Sequence, residues 1–249
     1  MISEILLGHG TKNSFLVLLT DGKNSLRYSH VVKLCSLPGL KVDGLVQIHL
    51  SQRSLPQWKF WNPDGSRARF CGNAARLGLA VLANRGDSSF SCALGEIRNA
   101  NKAIFDSQAW NSGRDISICA TWDQHWEKIS IQNLRDGKLL NLGNPHLIIE
   151  SAPNLKRAQR LRKKYNANVT FGQRVGSNLR AITFERGVEN FTESCGTGAL
   201  AASLVFHCQK VEMPGGSLHL KWCPGSISLE GPVQLVGHIQ IPSQLARHL

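Results

Sequence analysis

Two short stretches of this 249-residue chain resemble each other, and together they constrain the fold more than any other feature. The first reads Cys-Gly-Asn-Ala-Ala-Arg from Cys71, and the second reads Cys-Gly-Thr-Gly-Ala-Leu from Cys195. In each, a cysteine and a glycine precede an apolar, Ala/Leu-rich run with helical spacing. Because the N–H groups at a helix start lower a thiol pKa and hold anions, we expect two activatable thiols facing one carboxylate. One thiol would remove a proton while the other returns it.

The two stretches divide the chain into similar, strand-rich halves. Helical periodicity predicts helices over 72–84 and 196–209, and a third, basic and solvent-facing, over 154–166. The helix after Cys71 is apolar nearly all round, which fits a helix buried inside a curled sheet. Alternating or β-branched runs predict strands at 15–19, 44–50, 116–121, 129–132, 146–150, 178–184, 217–221, 226–229 and 233–241. Many strands and few helices indicate an α+β protein with two domains, each wrapping a central helix.

The boundary between these halves is expected near residues 110–125, where 110–115 resembles a loop. We predict an N-terminal half over residues 1–118, completed by the C-terminal strand 234–249, which carries the first cysteine. The C-terminal half is predicted over residues 119–233 and carries the second cysteine.

The composition limits the partners of the chain. The formal net charge of +12 suits an anionic small molecule, a nucleic acid or an acidic surface. Few aromatic residues interleave with the basic ones, which argues against a nucleic acid partner. No window approaches the roughly 18 apolar residues of a membrane span, and the first residues lack a signal-peptide pattern. We therefore expect a cytoplasmic protein with no membrane partner, and the sequence leaves a homodimer open.

The seven cysteines are odd in number and irregular in spacing. No Cys-x-x-Cys and no Cys/His cluster with zinc spacing occurs, so we expect neither a bound metal nor a disulfide framework. Free thiols are predicted, with packing roles for the five outside the paired stretches.

Longer motifs surround the two cysteines, and they occur in a fixed order along the chain. Residues 62–76 (Asn-Pro-Asp-Gly-Ser-Arg-Ala-Arg-Phe-Cys-Gly-Asn-Ala-Ala-Arg) closely resemble the first active-site signature of the diaminopimelate epimerase family. Residues 184–188 followed by 195–199 resemble the second. Gly-Asn-Pro-His at 143–146, the turn at 9–15, the Asn-containing strand at 168–171 and, more weakly, 42–45 are also similar to that family. The resemblance extends from residue 9 to about residue 233.

This resemblance implies two pseudo-symmetric α+β domains, each a mostly antiparallel, barrel-like sheet around a central helix, with a cleft between them. It also implies cofactor-independent inversion of an amino acid α-carbon by two cysteines. Cys71 and Cys195 would be the opposed acid and base, with His146 assisting one cysteine and Glu185 the other. Because no cofactor delocalises the carbanion, aimed N–H donors would have to stabilise charge on the substrate carboxylate.

The resemblance further assigns the substrate-binding residues. Backbone donors at the two helix starts would come from Gly72, Asn73, Gly196 and Thr197. The far end of the substrate, with a second ammonium and carboxylate, would meet Asn62, Asn144, Asn168 and Arg186, with Asn13 also lining the pocket. Amide oxygens suit an ammonium and an arginine fork suits a carboxylate. Diaminopimelate is therefore the expected substrate, and lysine and peptidoglycan biosynthesis the expected setting.

Three features depart from the family pattern, and several alternative interpretations of the residues and of the function stay open. The first signature carries Arg67 and Arg69, an Arg-rich stretch is missing at 35–41, and the segment 186–194 is one residue longer than expected. The alternative for Asn62 and Asn144 is an ordinary turn residue, and for Glu185 with Arg186 a structural ion pair. A racemase acting on another amino acid, such as histidine, is the nearest alternative function. A basic binding protein without turnover is the alternative from another class.

Overall fold

The structure, a computed structural model, describes residues 2–21, 26–51, 54–100, 105–124 and 128–240. These residues form five helices and seventeen strands. The helices are α1 (Tyr28–Cys35), α2 (Gly72–Ala83), α3 (Ser107–Asn111), α4 (Leu155–Tyr165) and α5 (Gly196–Phe206). The strands of the first half are β1 (Ile2–Gly10), β2 (Asn13–Asp21), β3 (Gly44–Leu50), β4 (Gln57–Trp61), β5 (Arg67–Ala68), β6 (Ser89–Cys92), β7 (Gly95–Asn99) and β8 (Ile116–Asp123). The remaining strands are β9 (Gln132–Leu134), β10 (Gly137–Asn141), β11 (Pro145–Glu150), β12 (Asn168–Val175), β13 (Asn178–Glu185), β14 (Asn190–Thr192), β15 (Lys210–Met213), β16 (Gly216–Cys223) and β17 (Ser226–His238).

The strand pairings repeat element by element, with β1 to β8 corresponding to β10 to β17. The pairs β2–β3 and β11–β12 are parallel, and so are β4–β6 and β13–β15. The pairs β3–β4 and β12–β13 are antiparallel, as are β7–β8 and β16–β17. In this order α1 corresponds to α4, and α2 corresponds to α5. The α+β class with two pseudo-symmetric, mostly antiparallel units is confirmed.

The two units are joined through their last strands. β8 and β17 pair antiparallel from Ile116 opposite Val233 to Asp123 opposite Ser226. Beyond this pairing, the end of β17 pairs with β1, so the chain returns to the first unit. The domain boundary itself stays a prediction.

Each unit is built around one buried helix. The residues of α2 are buried from Gly72 to Leu82, and those of α5 are nearly all buried. α2 packs against β1, β8 and β17, whereas α5 packs against β11, β12 and β13. Burial on all sides explains why these helices are apolar all round.

α4 is the surface helix that the basic segment predicts. Its buried residues are Ala158 and Leu161, and its basic residues face outward. Asn154 caps the helix start, because its side chain accepts a hydrogen bond of 2.8 Å from the Arg157 N–H. The helix ends at Asn166, which adopts a left-handed conformation with φ of 47°.

The predicted elements differ from the observed ones mainly at their ends. α2 ends one residue early, and α5 ends at Phe206 rather than at residue 209. The strand predicted at 129–132 is wrong for 129–131, since β9 begins at Gln132. Both 226–229 and 233–238 belong to the single strand β17, and residue 241 lies outside the described residues. The sequence analysis missed α1, α3, β1, the short strands β4 to β7, and β10, β14 and β15. Most of these elements have five residues or fewer, which is too few for a clear hydrophobic period.

The described part of the chain contains no helix that is both long enough and apolar enough to cross a membrane.

Candidate active site

The two cysteines cap the two buried helices, and the helix starts meet. Cys71 and Cys195 both adopt extended N-cap conformations, with φ of −139° and −130°. A Cβ added to Gly196 would lie 3.2 Å from the Cα of Gly72, and one added to Gly72 would lie 2.6 Å from Leu229 Cδ2. Glycine after each cysteine therefore allows the helix starts to approach closely. The structure brings the two predicted cysteines to one place.

Cys195 is the more enclosed thiol, with 6% of its surface exposed. The Gly198 N–H donates a hydrogen bond of 3.4 Å to its Sγ, and the Thr197 hydroxyl lies 3.6 Å from Sγ. Both contacts lower the thiol pKa. Burial, followed by the negative charge of Glu185, nevertheless raises the pKa of Cys195 well above its usual value.

Cys71 is half-buried and has a different set of neighbours. Burial raises the pKa of its thiol to about 12, and the charges of Glu185 and Asp43 act in the same direction. Backbone N–H groups of Ala74 and Asn73 lower it. The helix starts thus act on both thiols in the predicted direction, but the expected net lowering of the thiol pKa is wrong because desolvation outweighs it.

Glu185 ends β13 and reaches Cys195. Its carboxylate accepts hydrogen bonds from the Thr192 hydroxyl, at 2.6 Å, and from the Cys195 thiol. Burial is the largest effect and raises the pKa of Glu185 to about 7, although both hydrogen bonds act against it. A carboxyl group with this pKa can accept and return a proton near neutral pH.

His146 is fully buried at the start of β11. Asn168 Oδ1 accepts from the Arg186 N–H at 2.9 Å, which leaves the Asn168 amide donating to His146 Nε2 at 3.4 Å. Nε2 also lies 3.1 Å from the Thr197 hydroxyl, which itself borders Cys195. Burial lowers the pKa of His146 to about 3, so the imidazole is neutral.

These contacts link both predicted helper residues to Cys195. Glu185 bonds its thiol directly, and His146 reaches it through Thr197. The negative charge of Glu185 also raises the pKa of Cys71. The assignment of one helper to each cysteine stays a prediction.

Asn73 and Asn13 form a buried amide chain between the two units. The Asn73 amide donates to Asn13 Oδ1 at 2.6 Å and to the Ser194 hydroxyl at 3.1 Å. Asn13 in turn donates to Asp43 at 3.1 Å. The Asn73 side chain is therefore committed to protein partners, and its backbone N–H is what the site can use.

Sequence reasoning did not assign a role to Asp43, Arg76, Thr192 or Ser194, which complete this arrangement. Arg76 lies within the first signature and Ser194 immediately precedes the second cysteine. Their proximity to the two predicted cysteines in the sequence was the available signal.

Three predicted substrate residues have other partners in the structure. The Asn62 amide donates to the Ser66 hydroxyl at 2.9 Å, as a turn residue would. Asn144 is half-buried, and its carbonyl accepts from the Leu142 N–H at 3.1 Å. Arg186 is exposed and its guanidinium donates to the Asn166 carbonyl at 3.2 Å. Their roles toward a substrate stay predictions.

All seven cysteines are free, as the sequence predicts. Within the described ranges, no three His, Cys, Asp or Glu side chains gather as metal ligands would.

Relatives with established names match most of the chain. The diaminopimelate epimerase of Thermotoga maritima is 32% identical over 191 residues, covering 70% of this chain and 76% of the relative. The diaminopimelate epimerase of Campylobacter jejuni (strain 81-176) is 32% identical over 210 residues, covering 80% of each chain. No protein-family model matches the chain.

The fold recurs in solved structures at lower identity. A crystal structure of a phenazine biosynthesis protein of the PhzF family from Enterococcus faecalis superimposes with a TM-score of 0.66. It is 11% identical and covers 97% of this chain and 100% of its own. This likeness supports the two-unit architecture.

Proposed function

The chain belongs to the diaminopimelate epimerase family and is an isomerase, and on that premise we propose that it interconverts LL- and meso-diaminopimelate through Cys71 and Cys195 without a cofactor. One observation carries the proposal: each thiol caps a buried helix, and the two helix starts meet. Two acid–base groups at one place are what inversion at a carbon requires. One side of the carbon loses a proton while the other side gains one.

In the proposed reaction, the thiolate of one cysteine takes the α-proton. The electron pair is held on the α-carbon and its carboxylate, and the other thiol then donates its proton to the opposite face. The helix N–H groups beside the two thiols, of which that of Gly198 bonds Cys195 Sγ, lie where they would also stabilise the negative charge of the substrate. Each turnover exchanges which cysteine carries the proton.

Glu185 is the proposed proton acceptor for Cys195. The thiol proton passes to its carboxylate, which leaves a thiolate and a neutral carboxylic acid. The raised pKa of Glu185, about 7, supports this role because it is closer to that of a thiol than an ordinary carboxylate would be. Neutral His146 would orient the Thr197 hydroxyl beside Cys195.

The proposed substrate preference rests on the residues around the two thiols. Arg186 offers an exposed guanidinium for the distal carboxylate, and Asn168 fixes its backbone. Asn62 and Asn144 would meet the distal ammonium. The names of the relatives support diaminopimelate, and with it a place in lysine biosynthesis in the cytoplasm.

Exchange of the α-proton in deuterated water tests this proposal. We expect deuterium in LL- and meso-diaminopimelate, detected by mass spectrometry, and none in L-histidine. Exchange with histidine alone would overturn the proposed substrate. Absence of exchange with every amino acid in a panel, together with salt-sensitive binding of a polyanion, would instead favour the binding-protein alternative.

A further inference from the structure

Arg76 is a fully buried cation on α2. Its guanidinium donates to the Pro232 carbonyl at 3.0 Å, and to Thr11 Oγ1 and Asn73 Oδ1 at 2.7 Å each. All three acceptors are neutral, and within the described residues no carboxylate forms an ion pair with Arg76. Buried charges are normally paired, so a buried arginine with only neutral acceptors requires an explanation.

Two thiols lie within electrostatic range of Arg76. Cys71 is five residues earlier on the same helix, and Cys119 lies on β8. A thiolate at either place would attract the guanidinium. Burial lowers the pKa of Arg76 to about 10, but a guanidinium is still charged at neutral pH.

Comparison of the equivalent helices α2 and α5 indicates which of the two thiols the charge of Arg76 affects. The residue five positions after Cys195 is Leu200, buried in the core. α5 therefore has an apolar residue where α2 has a buried cation. Cys195 has Glu185 beside it, whereas Cys71 faces the negative charges of Glu185 and Asp43 and has Arg76 as the buried positive charge on its own helix.

Arg76 also stabilises the hydrogen bonds that connect the two helix starts. By donating to Asn73 Oδ1 it fixes the orientation of that amide, whose NH₂ group then donates to Ser194. Ser194 is the residue before Cys195. One side chain thus connects α2, the start of α5, the β1–β2 turn and β17.

We propose that Arg76 is a positioning residue of the epimerase: its buried charge is the counter-charge of the Cys71 thiolate, and its fork fixes the amide that joins the two helix starts. The inference rests on the proposed two-cysteine function. It makes the two thiols unequal in the unliganded protein, with Cys71 ionising at lower pH than Cys195.

Alkylation of each thiol by iodoacetamide, followed by peptide mass spectrometry between pH 6 and 10, tests this inference. In the wild-type protein, we expect the pH dependence of Cys71 to lie below that of Cys195. In Arg76→Gln, which keeps N–H donors without the charge, alkylation of Cys71 at a fixed pH should slow about tenfold, the equivalent of one pKa unit. Arg76→Lys should restore most of the rate, since an ammonium supplies both the charge and three donors for the three acceptors.

Two matched variants separate this effect from packing. Leu200→Met changes the equivalent position on α5, and Cys119→Ser removes the other thiol that faces Arg76. Both should leave the pH dependence of Cys71 unchanged. Circular dichroism checks that each variant is folded.

Several results would overturn the inference. Arg76→Gln with a wild-type pH dependence at Cys71 would show that the charge has no role there. A change in Cys119→Ser as large as in Arg76→Gln would assign the charge to Cys119. If Arg76→Gln does not fold, ionisation of Cys195 before Cys71 in the wild-type protein is sufficient to reject the proposal.

The same experiment distinguishes this inference from the proposed function. Alkylation is read without any substrate, so it reports on Arg76 even if the reaction is not the proposed one. Activity that persists in both Cys71→Ala and Cys195→Ala would reject the two-cysteine function. A normal Cys71 profile in Arg76→Gln, with Cys71→Ala inactive, would reject the role of Arg76 alone.

Discussion

The Cys71 and Cys195 units share one framework but surround their thiols with different groups. Strand registers give the equivalences, since Phe15 pairs with Gly44 as His146 pairs with Asn168. Three pairs of equivalent positions differ in kind: Phe15 and His146, Asn62 and Glu185, and Arg76 and Leu200. The repeat thus builds two similar thiol sites, and a few substitutions place Glu185 and His146 on the Cys195 side and the buried Arg76 on the helix that follows Cys71.

The hairpins before the two cysteines show a second difference. Trp61 pairs with Arg67 in the first unit, and the equivalent pair in the second unit is Phe184 with Phe191. The second connection is one residue longer, and it adds the pair of Glu185 with Asn190. Relative to β4, β13 therefore extends one residue further, to Glu185. Whether this also changes the substrate stays a prediction.

The largest expected effect comes from removing either thiol. Cys71→Ala and Cys195→Ala should each lower epimerisation by about 10²- to 10⁴-fold, because inversion needs an acid and a base together. Exposed Cys223→Ala is the control and should retain activity. Full activity in either single variant would contradict a requirement for both thiol sites, because one thiol would then be sufficient.

Replacing His146 by its counterpart in the other unit tests the buried imidazole. The pKa of His146 is about 3 in the folded protein, below its usual 6.5, so the unfolded chain binds this proton first as the pH falls. Stability should therefore decrease between pH 6.5 and 3, by on the order of 2 to 4 kcal/mol. In His146→Phe, urea unfolding across this range should show a weaker pH dependence. An unchanged dependence would mean that the imidazole is not held neutral by burial.

Glu185 should have the opposite pH signature. Its pKa rises from 4.5 to about 7 in the folded protein, so the unfolded chain releases this proton first as the pH rises. The wild-type protein should lose about 1 to 3 kcal/mol between pH 4.5 and 7 relative to Glu185→Gln. Melting temperatures at pH 4 and pH 8 measure this difference, with Glu150→Gln as an exposed control. An equal difference at both pH values would contradict a buried, neutral carboxyl.

Replacing the third residue after each cysteine by its counterpart in the other unit tests how tightly each helix start packs against its surroundings. Ala74 occupies this position in α2 and Gly198 in α5, where an added Cβ would overlap the Thr183 hydroxyl. Gly198→Ala should destabilise the protein by about 1 to 3 kcal/mol. Ala74→Gly should cost about 0.5 to 1 kcal/mol through helix propensity. Equal losses in the free energy of unfolding, measured by urea unfolding, would show that the two helix starts do not differ in how tightly they pack.

Hydrophobic patterns in the sequence predicted the two fully buried helices and the surface helix. The long apolar run after each cysteine located α2 and α5, which are apolar on all sides, and a narrow apolar stripe located α4. β5 and β14 are two and three residues long and are formed by pairing with β4 and β13. Strands this short contain too few residues for an alternating pattern to be recognised, and this is why they were missed.

The candidate site divides in the same way. Cys71, Cys195, His146 and Glu185 could be proposed from motifs, because each follows a recognisable turn or precedes a helix. The proposed role of Arg76 could not, since it depends on contacts with Thr11 and Pro232, which lie 65 and 156 residues away in the chain. The commitment of the Asn73 side chain to Ser194 is likewise a long-range contact.

The sequence by itself determined the repeat, the two thiols at helix starts and the α+β class, because these follow from local spacing and periodicity. Only the tertiary structure decided the electrostatic environment of the site. Desolvation raises the pKa of both thiols against the effect of the helix N–H groups, and burial depends on how the two units close around them. The close approach of Gly72 and Gly196 has the same origin, since it is a contact between units that no segment of sequence contains.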